Sequence, residues 1–392
     1  MPKYYEAYEK RYRQVHEKSL SWASDKNSPI VSDTLKKYVK NDSPKILDIG
    51  CGEGRDCLFL MKQGYDVQAI DISEEAIRYC RNKAGTENEN RFRVMDVCTE
   101  KLEERFDFIY SVATLHMLVV QQDRERYLSF IKNHLSQGGY ALILSMGDGV
   151  MESESNIDEA FEDKTRVHQE TGTELSVAST SCKMVSFDTL RKELRSAGFS
   201  IAEEGLTEAP PDFPVIMYEV VRLPMLETPN LILDKAKPSD WKDMYYNVWS
   251  RPEAARYMSW RLSESEEDAR ERMLRTIEFQ KTHDTYNVYE KASGKAIGFA
   301  GAEKLADGVY GEMGICLGPD FVGKGYGKQI LRCLTDYCKR KHGATEFIYS
   351  TREGNEASHG LARSFGFVRT SVEAVDNQDG SHYNLVKYSL KL

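Results

Sequence analysis

No apolar run in this sequence approaches the length of a membrane span, so no segment reads as a crossing helix. A secretory leader is not expected either, because Met1 to Arg13 is charged and tyrosine-rich where such a leader would be apolar. Basic excess is also missing. The net charge of −9 argues against broad electrostatic binding to nucleic acid, although a local basic groove stays compatible with it. The eight cysteines lack zinc-ribbon spacing, and several, such as Cys80, Cys98 and Cys316, sit in apolar patterns. The expectation is therefore no metal and buried free thiols in a reducing cytoplasm. Solenoid-period repeats and low-complexity tracts are absent as well.

What is present is an ordinary globular balance, 41% hydrophobic and 29% charged, in a chain of 392 residues. That length exceeds one ordinary core and predicts two domains. Two prolines mark a boundary in the stretch from Arg222 to Asn230. Domains are expected over 1–223 and 231–392, with 224–230 as linker.

The most informative stretch runs from Lys45 to Asp56. A short apolar run ends at Asp48-Ile49, and Gly50, Gly52 and Gly54 alternate before a helical pattern begins at Cys57. Glycines let the backbone turn sharply and approach a ligand, and the helix start offers free amides. A dinucleotide fingerprint needs its third glycine where Arg55 stands, which disfavours NAD or FAD. Strands follow at Val67–Ile70, Phe92–Val97, Phe106–Val112 and Gly138–Leu144. A helix over Phe187–Ala197 then leads to a strand pair, Phe199–Leu206 and Val215–Val221, with Pro210 to Pro214 read as the turn.

The run Asp48-x-Gly50-x-Gly52-x-Gly54 resembles motif I of class I S-adenosylmethionine (SAM) methyltransferases, and the domain is similar to the TehB-like and type 11/12/25 small-molecule branches. The resemblance implies a Rossmann-like seven-stranded α/β sheet and a SAM site. That site would be built from Asp48, Gly50, Cys51, Gly52 and Gly54 in the loop, with Asp71 and Ile72 after the second strand. Asp96 and Val97 would end the third strand and Ser111 would lie near the end of the fourth. An acid at Asp71 can accept from both ribose hydroxyls, and a charged acceptor makes each bond about twice as strong as a neutral one. Asp96 would lie beside the adenine amino group. In the acceptor-facing stretch 113–118, His116 stands either as a base or as an ordinary strand-end histidine. Tyr4, Tyr5, Tyr8, Tyr12 and Trp22 form an aromatic segment, either an amphipathic helix packed on the sheet or a cover over the sulfonium. The acidic run Glu152, Glu154, Asp158, Glu159, Glu162 and Asp163 is a solvated face or, if it lines the site, a selector for cationic substrates.

A second glycine loop, Val322-Gly323-Lys324-Gly325-Tyr326-Gly327, lies between a probable strand, Tyr310–Leu317, and a helix, Lys328–Lys341. Its amides would face phosphate oxygens. It is no P-loop, lacking the terminal Lys-Ser or Lys-Thr. The loop, then Asn355-Glu356-Ala357-Ser358 and Ser364-Phe365-Gly366-Phe367, resembles the acetyl-CoA site of the GNAT superfamily, RimJ/RimL branch. That implies a mixed α/β sheet. One departure is Val322, where the family favours Gln or Arg. The resemblance places acetyl-CoA against residues 322–327, with Asn355 bordering its arm and Tyr326 a packing residue. Glu312 would be the base for the amine, Glu303 a spare one, and Ser358 a hydroxyl for the leaving sulfur. Each has a plain alternative: a strand acid for Glu312, a helix-start residue for Ser358.

The sequence therefore predicts two transferases in one chain. They could act on one small amine-bearing metabolite, antibiotic or peptide. Alternatively the acetyl half serves protein N-termini or aminoacyl groups while methylation goes elsewhere, or one half is a silent cofactor-binding scaffold.

Overall fold

The computed structural model describes residues 3–22, 26–168, 170–209, 213–376 and 382–392. Residues 210–212 of the expected turn lie outside them. The chain divides into two compact units, Met1–Leu223 and Pro224–Leu392. In the first, α1 (Ala7–His16) and α2 (Pro29–Tyr38) precede β1 (Lys45–Ile49), α3 (Arg55–Lys62), β2 (Asp66–Asp71), α4 (Glu74–Ala84), β3 (Phe92–Val94) and β4 (Phe106–Val112). Then come α5 (Gln121–His134) and β5 (Leu135–Ser145), four short strands β6–β9 between Ser153 and Met184, α6 (Phe187–Ser196), β10 (Ser200–Ala209) and β11 (Phe213–Arg222).

Seven of these strands form one sheet in the order β10-β11-β5-β4-β1-β2-β3. β1 pairs parallel with β2 and β4, whereas β11 runs antiparallel to β5 and β10. β1 is buried along nearly its whole length. Both of its faces are covered, as a parallel sheet requires. Leu47 and Ile49 pack on one side with Ile109 and Ile143, while Ile46 packs on the other with Phe108 and Leu142. Strand order reverses between β1 and β4, and the crevice beyond the carboxyl ends there is the natural ligand site of such sheets.

The second unit contains β12 (Leu226–Glu227), β13 (Leu231–Asp234), α7 (Trp241–Met244), α8 (Pro252–Ala255), α9 (Glu266–Gln280) and β14 (Thr285–Glu290). After them come β15 (Ala296–Ala306), β16 (Val309–Leu317), α10 (Tyr326–His342), β17 (Glu346–Arg352), α11 (Glu356–Phe365), β18 (Val368–Asp376) and β19 (His382–Lys391). Its eight strands follow the order β12-β13-β14-β15-β16-β17-β19-β18. The expected linker is thus not free chain. Leu226 and Glu227 pair with Leu233 and Ile232 and form the edge of this sheet.

β16 and β17 are the one parallel pair in this sheet, and their register stops at Gly311↔Ile348 although both strands continue. The cause lies on the other side of β16. Ala300 faces Ile315 and Ala302 faces Glu312, so one residue of β15 spans two of β16. This bulge, with Gly314 at φ +85°, bends β16 away from β17 and opens the sheet.

Candidate active sites

In the first unit a cleft opens at the switch point, reached by residues that leave β1, β2, β3 and β4 at their carboxyl ends. Of the residues expected there, Gly50, Asp71, Ile72, Asp96 and Val97 line it. The glycine loop bends over β2, with the Gly50 and Cys51 amides both donating to the Ile70 carbonyl at 2.8 and 3.1 Å. Gly50, Gly52 and Gly54 all have positive φ, at 70°, 53° and 82°. At Gly50 a Cβ would meet Thr114 Oγ1 at 2.3 Å, so the loop is pressed against the turn after β4.

Asp71 ties this floor together. Its Oδ2 accepts from the Gly52 amide and its Oδ1 from the Ser73 amide, both at 2.8 Å. The carboxylate, which the Ile72 amide also approaches, keeps acceptor capacity for the cleft that it lines, which suits the hydroxyls of a ribose. Burial raises its pKa against these amide bonds. The residues present therefore fit a nucleoside with an amino-acid tail. Asp48, Cys51, Gly52, Gly54 and Ser111 do not line the cleft. Asp48 is buried beside Asp56 and the Tyr110 hydroxyl, and burial pushes its carboxyl well above the usual range. Ser111 is fully buried and accepts from Tyr127, itself a cleft residue.

Two features go beyond the sequence reading. The first is how α1 is held: the aromatic segment, expected as a packed helix or a cover, lines the cleft with Tyr8 and Tyr12. The Tyr12 hydroxyl sits 2.6 Å from where a Gly52 Cβ would stand. Glu9 fastens the helix to the start of α4 through Ser73 Oγ at 2.7 Å and the Glu75 amide at 3.0 Å. His16 bridges Glu53 and Glu75, both at 2.7 Å. The second is Lys3, whose ammonium is paired with Asp96 Oδ2, while the Cys98 amide and Thr99 hydroxyl also donate to that carboxylate. Burial would raise the Asp96 pKa, but Lys3 and these donors hold it low. The acid expected beside adenine thus meets a cation of the chain's own N-terminal segment.

His116 departs from the expectation of a base. It is 4% exposed and absent from the cleft lining, although its neighbours Met117 and Leu118 belong to it. It sits in a 3₁₀ turn, Leu115–Met117, where successive side chains point about 120° apart. Burial, with Arg124 and Arg11 nearby, drops its pKa to about 3, so it is neutral and a poor proton acceptor. The acidic run after β5 is a solvated face: Asp163 pairs with Lys10, Glu159 with Lys164 and Glu154 with Lys183, and none of the run lines the cleft.

In the second unit the opening between β16 and β17 is a cleft that brings Glu312, Ser358 and Asn355 together. Glu312 Oε2 accepts from the Gly314 amide at 2.6 Å, a bond created by the bulge. Burial pushes its carboxyl up to about 7, against the Gly314 and Ser350 amides and helped by Glu303. A carboxyl poised there exchanges protons near neutrality. Asn355 caps α11, its Oδ1 accepting from the Ser358 amide at 3.2 Å, and the Ser358 hydroxyl faces Tyr349.

The loop 322–327 lies at the start of α10. Gly323 and Gly325 both have φ +77° with open space around their α-carbons, so backbone can meet a ligand closely. Val322 is 60% exposed. Lys324 lies 3.5 Å from Glu290, and the Tyr326 hydroxyl donates to the same carboxylate at 2.7 Å, which fixes Tyr326 as a packing residue. Gly327 packs against Leu361 of α11. α10, seventeen residues long, begins inside this loop at Tyr326, with its first amides directed at it. The arrangement fits a pyrophosphate at the loop and a thioester arm between the splayed strands.

The family model for tellurite resistance protein TehB matches residues 20–161, and the acetyltransferase (GNAT) domain model matches residues 230–368. The chain joins a TehB-type methyltransferase domain to a GNAT acetyltransferase domain. Among similar proteins is the probable S-adenosyl-L-methionine-dependent methyltransferase TehB of Haemophilus influenzae, 38% identical over 124 residues. That match takes in 30% of this chain and 42% of the relative, so the chain spans about two fifths of the length of this curated protein. A solved S-adenosylmethionine-dependent methyltransferase from Clostridium acetobutylicum aligns with TM-score 0.40 and 16% identity, over 54% of this chain and 96% of that one. A GNAT-family acetyltransferase from Bacillus anthracis aligns with TM-score 0.38 and 15% identity, over 42% of this chain and 97% of that one. Among the described residues no helix is long and apolar enough to cross a membrane.

Proposed function

We propose that the chain is a two-site transferase, moving a methyl group from SAM to a small-molecule acceptor in the first domain and an acetyl group from acetyl-CoA to a primary amine in the second. The observation that carries this reading furthest is Glu312, a carboxyl that titrates near neutrality and stands in one cleft with Ser358 where the sheet is split. Acetyl-CoA supplies an activated acyl carbon. Glu312 takes the ammonium proton, directly or through water, and leaves a nucleophilic amine. The Tyr349–Ser358 pair offers a hydroxyl proton to the departing thiolate.

SAM supplies an already activated methyl, so the first domain's task is alignment, which can contribute roughly 7–11 kcal/mol. With His116 outside the cleft and Asp96 already paired, the acceptor best suited to this site arrives with a free lone pair. The cover formed by Tyr8 and Tyr12 favours a small acceptor over a macromolecule. Eight free cysteines are in keeping with a reducing cytoplasm.

The test is to incubate the purified protein with metabolite and amine pools plus labelled SAM or labelled acetyl-CoA, separately. Label transfer from each donor to low-mass products supports the reading, and one product carrying both labels would place both reactions on one substrate. Label appearing only in protein fractions would overturn the small-molecule assignment.

A further inference from the structure

We propose that Arg352 makes the acetyl acceptor an anion-bearing amine, its guanidinium receiving a carboxylate or phosphate a short spacer away from the amine that meets Glu312. This inference rests on the acetyltransferase reading and narrows its substrate class. Arg352 and Glu312 line the same cleft. Along β17 exposure alternates, with Ile348, Ser350 and Arg352 on the more open face. Ser350 is the residue whose amide reaches the Glu312 carboxyl. Arg352 follows two residues later, roughly 7 Å further along that face. A primary amine at Glu312 with an acid group a few bonds away spans such a gap.

The guanidinium is held but not neutralised. One N–H donates to the Met258 carbonyl at 3.2 Å, and the group lies over the Tyr383 ring with 4.1 Å to its centroid. Among the described residues no carboxylate pairs with it. Stacking and a single carbonyl bond fix the plane of the fork and leave most of its five donors for a ligand. Tyr257 steadies the same rim, its hydroxyl donating to the Gly354 carbonyl at 2.8 Å. An oriented, unpaired guanidinium beside a base is the arrangement that reads a molecule carrying both an amine and an acid.

The experiment uses the full chain, acetyl-CoA and two matched probe pairs, with CoA release as readout: β-alanine against β-alaninamide, and phosphoethanolamine against ethanolamine. The expected result is a preference in kcat/KM of about 10- to 100-fold for the anionic member of at least one pair, the size of a charged hydrogen bond. Which pair shows it separates carboxylate from phosphate. In Arg352→Ala that ratio falls to near 1, and Arg352→Lys keeps part of it. Arg352→Gln retains a donor for the Met258 carbonyl, so the same collapse there excludes simple unfolding. No preference in the unaltered protein, or equal losses on both members in the variants, overturns the proposal. So does weaker acetyl-CoA binding in calorimetry, which would assign the guanidinium to the donor's phosphates. Acetyl-CoA binding with no turnover of any amine would instead overturn the acetyltransferase reading beneath it.

Discussion

Arg124 and Glu193 form a two-point ion pair in the interior of the first unit, Nε to Oε1 at 2.9 Å and Nη2 to Oε2 at 2.6 Å. Arg124 is wholly buried, and its Nη1 also donates to the Leu115 and Leu118 carbonyls at 2.9 and 3.2 Å. The pair therefore fixes the turn that carries Met117 and Leu118 into the cleft of this unit. Removing one partner strands a buried charge, so Glu193→Gln or Arg124→Met should each destabilise this domain by about 3–5 kcal/mol. Replacing both with apolar residues should recover much of that loss. Denaturant unfolding of the three variants, followed by near-ultraviolet circular dichroism, tests this; additive losses in the double variant would mean that the pair is not coupled.

Asp71 supports a prediction about the SAM site alone. Its carboxylate holds the Gly52 and Ser73 amides and faces the cleft. Asp71→Ala should weaken SAM binding by about 1.5–3 kcal/mol, the range for hydrogen bonds to a charged group. Acetyl-CoA binding should be unaffected. Calorimetry with each cofactor measures both, and altered acetyl-CoA affinity would contradict the assignment of the two sites.

The parts of the fold readable from sequence are those written in local backbone demands. Three glycines at positive φ, an apolar strand ending at Asp71 and a glycine loop before α10 are short-range patterns. The seven-stranded sheet and the GNAT-type sheet are what the family resemblances carried by these patterns imply. What stayed hidden was set by partners far apart in the chain. Tyr12 meets Gly52, Lys3 meets Asp96 and Arg124 meets Glu193, and nothing local at either end announces such contacts. The 3₁₀ turn at Leu115–Met117 turned His116 inward, and a stretch read as acceptor-facing could not reveal which of its side chains would face away. Glu312 was legible as a strand acid. The bulge that gives it the Gly314 amide and splits the sheet was not, because a bulge is a property of two strands.

His16 links the cover of the first unit's cleft to pH. Burial alone would lower its pKa, but the Glu53 and Glu75 carboxylates outweigh that and raise it. A group whose folded pKa lies above its unfolded value near 6.5 contributes its stabilisation fully below that value. The contribution is lost as pH rises through the folded pKa. Protection of α1 against hydrogen exchange should therefore decline on going from pH 6 to pH 8.5. His16→Gln should be less protected at pH 6 and show a flatter profile. A cover equally protected at both pH values would show that Glu9 and the tyrosines hold it without help from the imidazole.

Glu312 gives the acetyl-transfer domain two pH signatures of opposite direction. As the base it must be ionised, so kcat/KM should rise through about pH 7, where its carboxyl titrates. Stability should move the other way. Between its ordinary value of 4.5 and about 7 the folded state holds a proton that the unfolded state has released. Stability therefore falls as pH rises across that window. Glu312→Gln keeps the shape but cannot accept a proton, so turnover should drop by about 10²–10⁴-fold, the usual loss for a general base. The variant should also lose the decline in stability between pH 4.5 and 7, measured as the melting temperature of this domain. Ser358→Ala should cost less, because water can protonate a thiolate that already leaves readily. If Glu312→Gln retained full turnover across the pH range yet flattened the stability profile, the carboxyl would be buried and strained but no base. The amine would then lose its proton to Glu303 or to solvent.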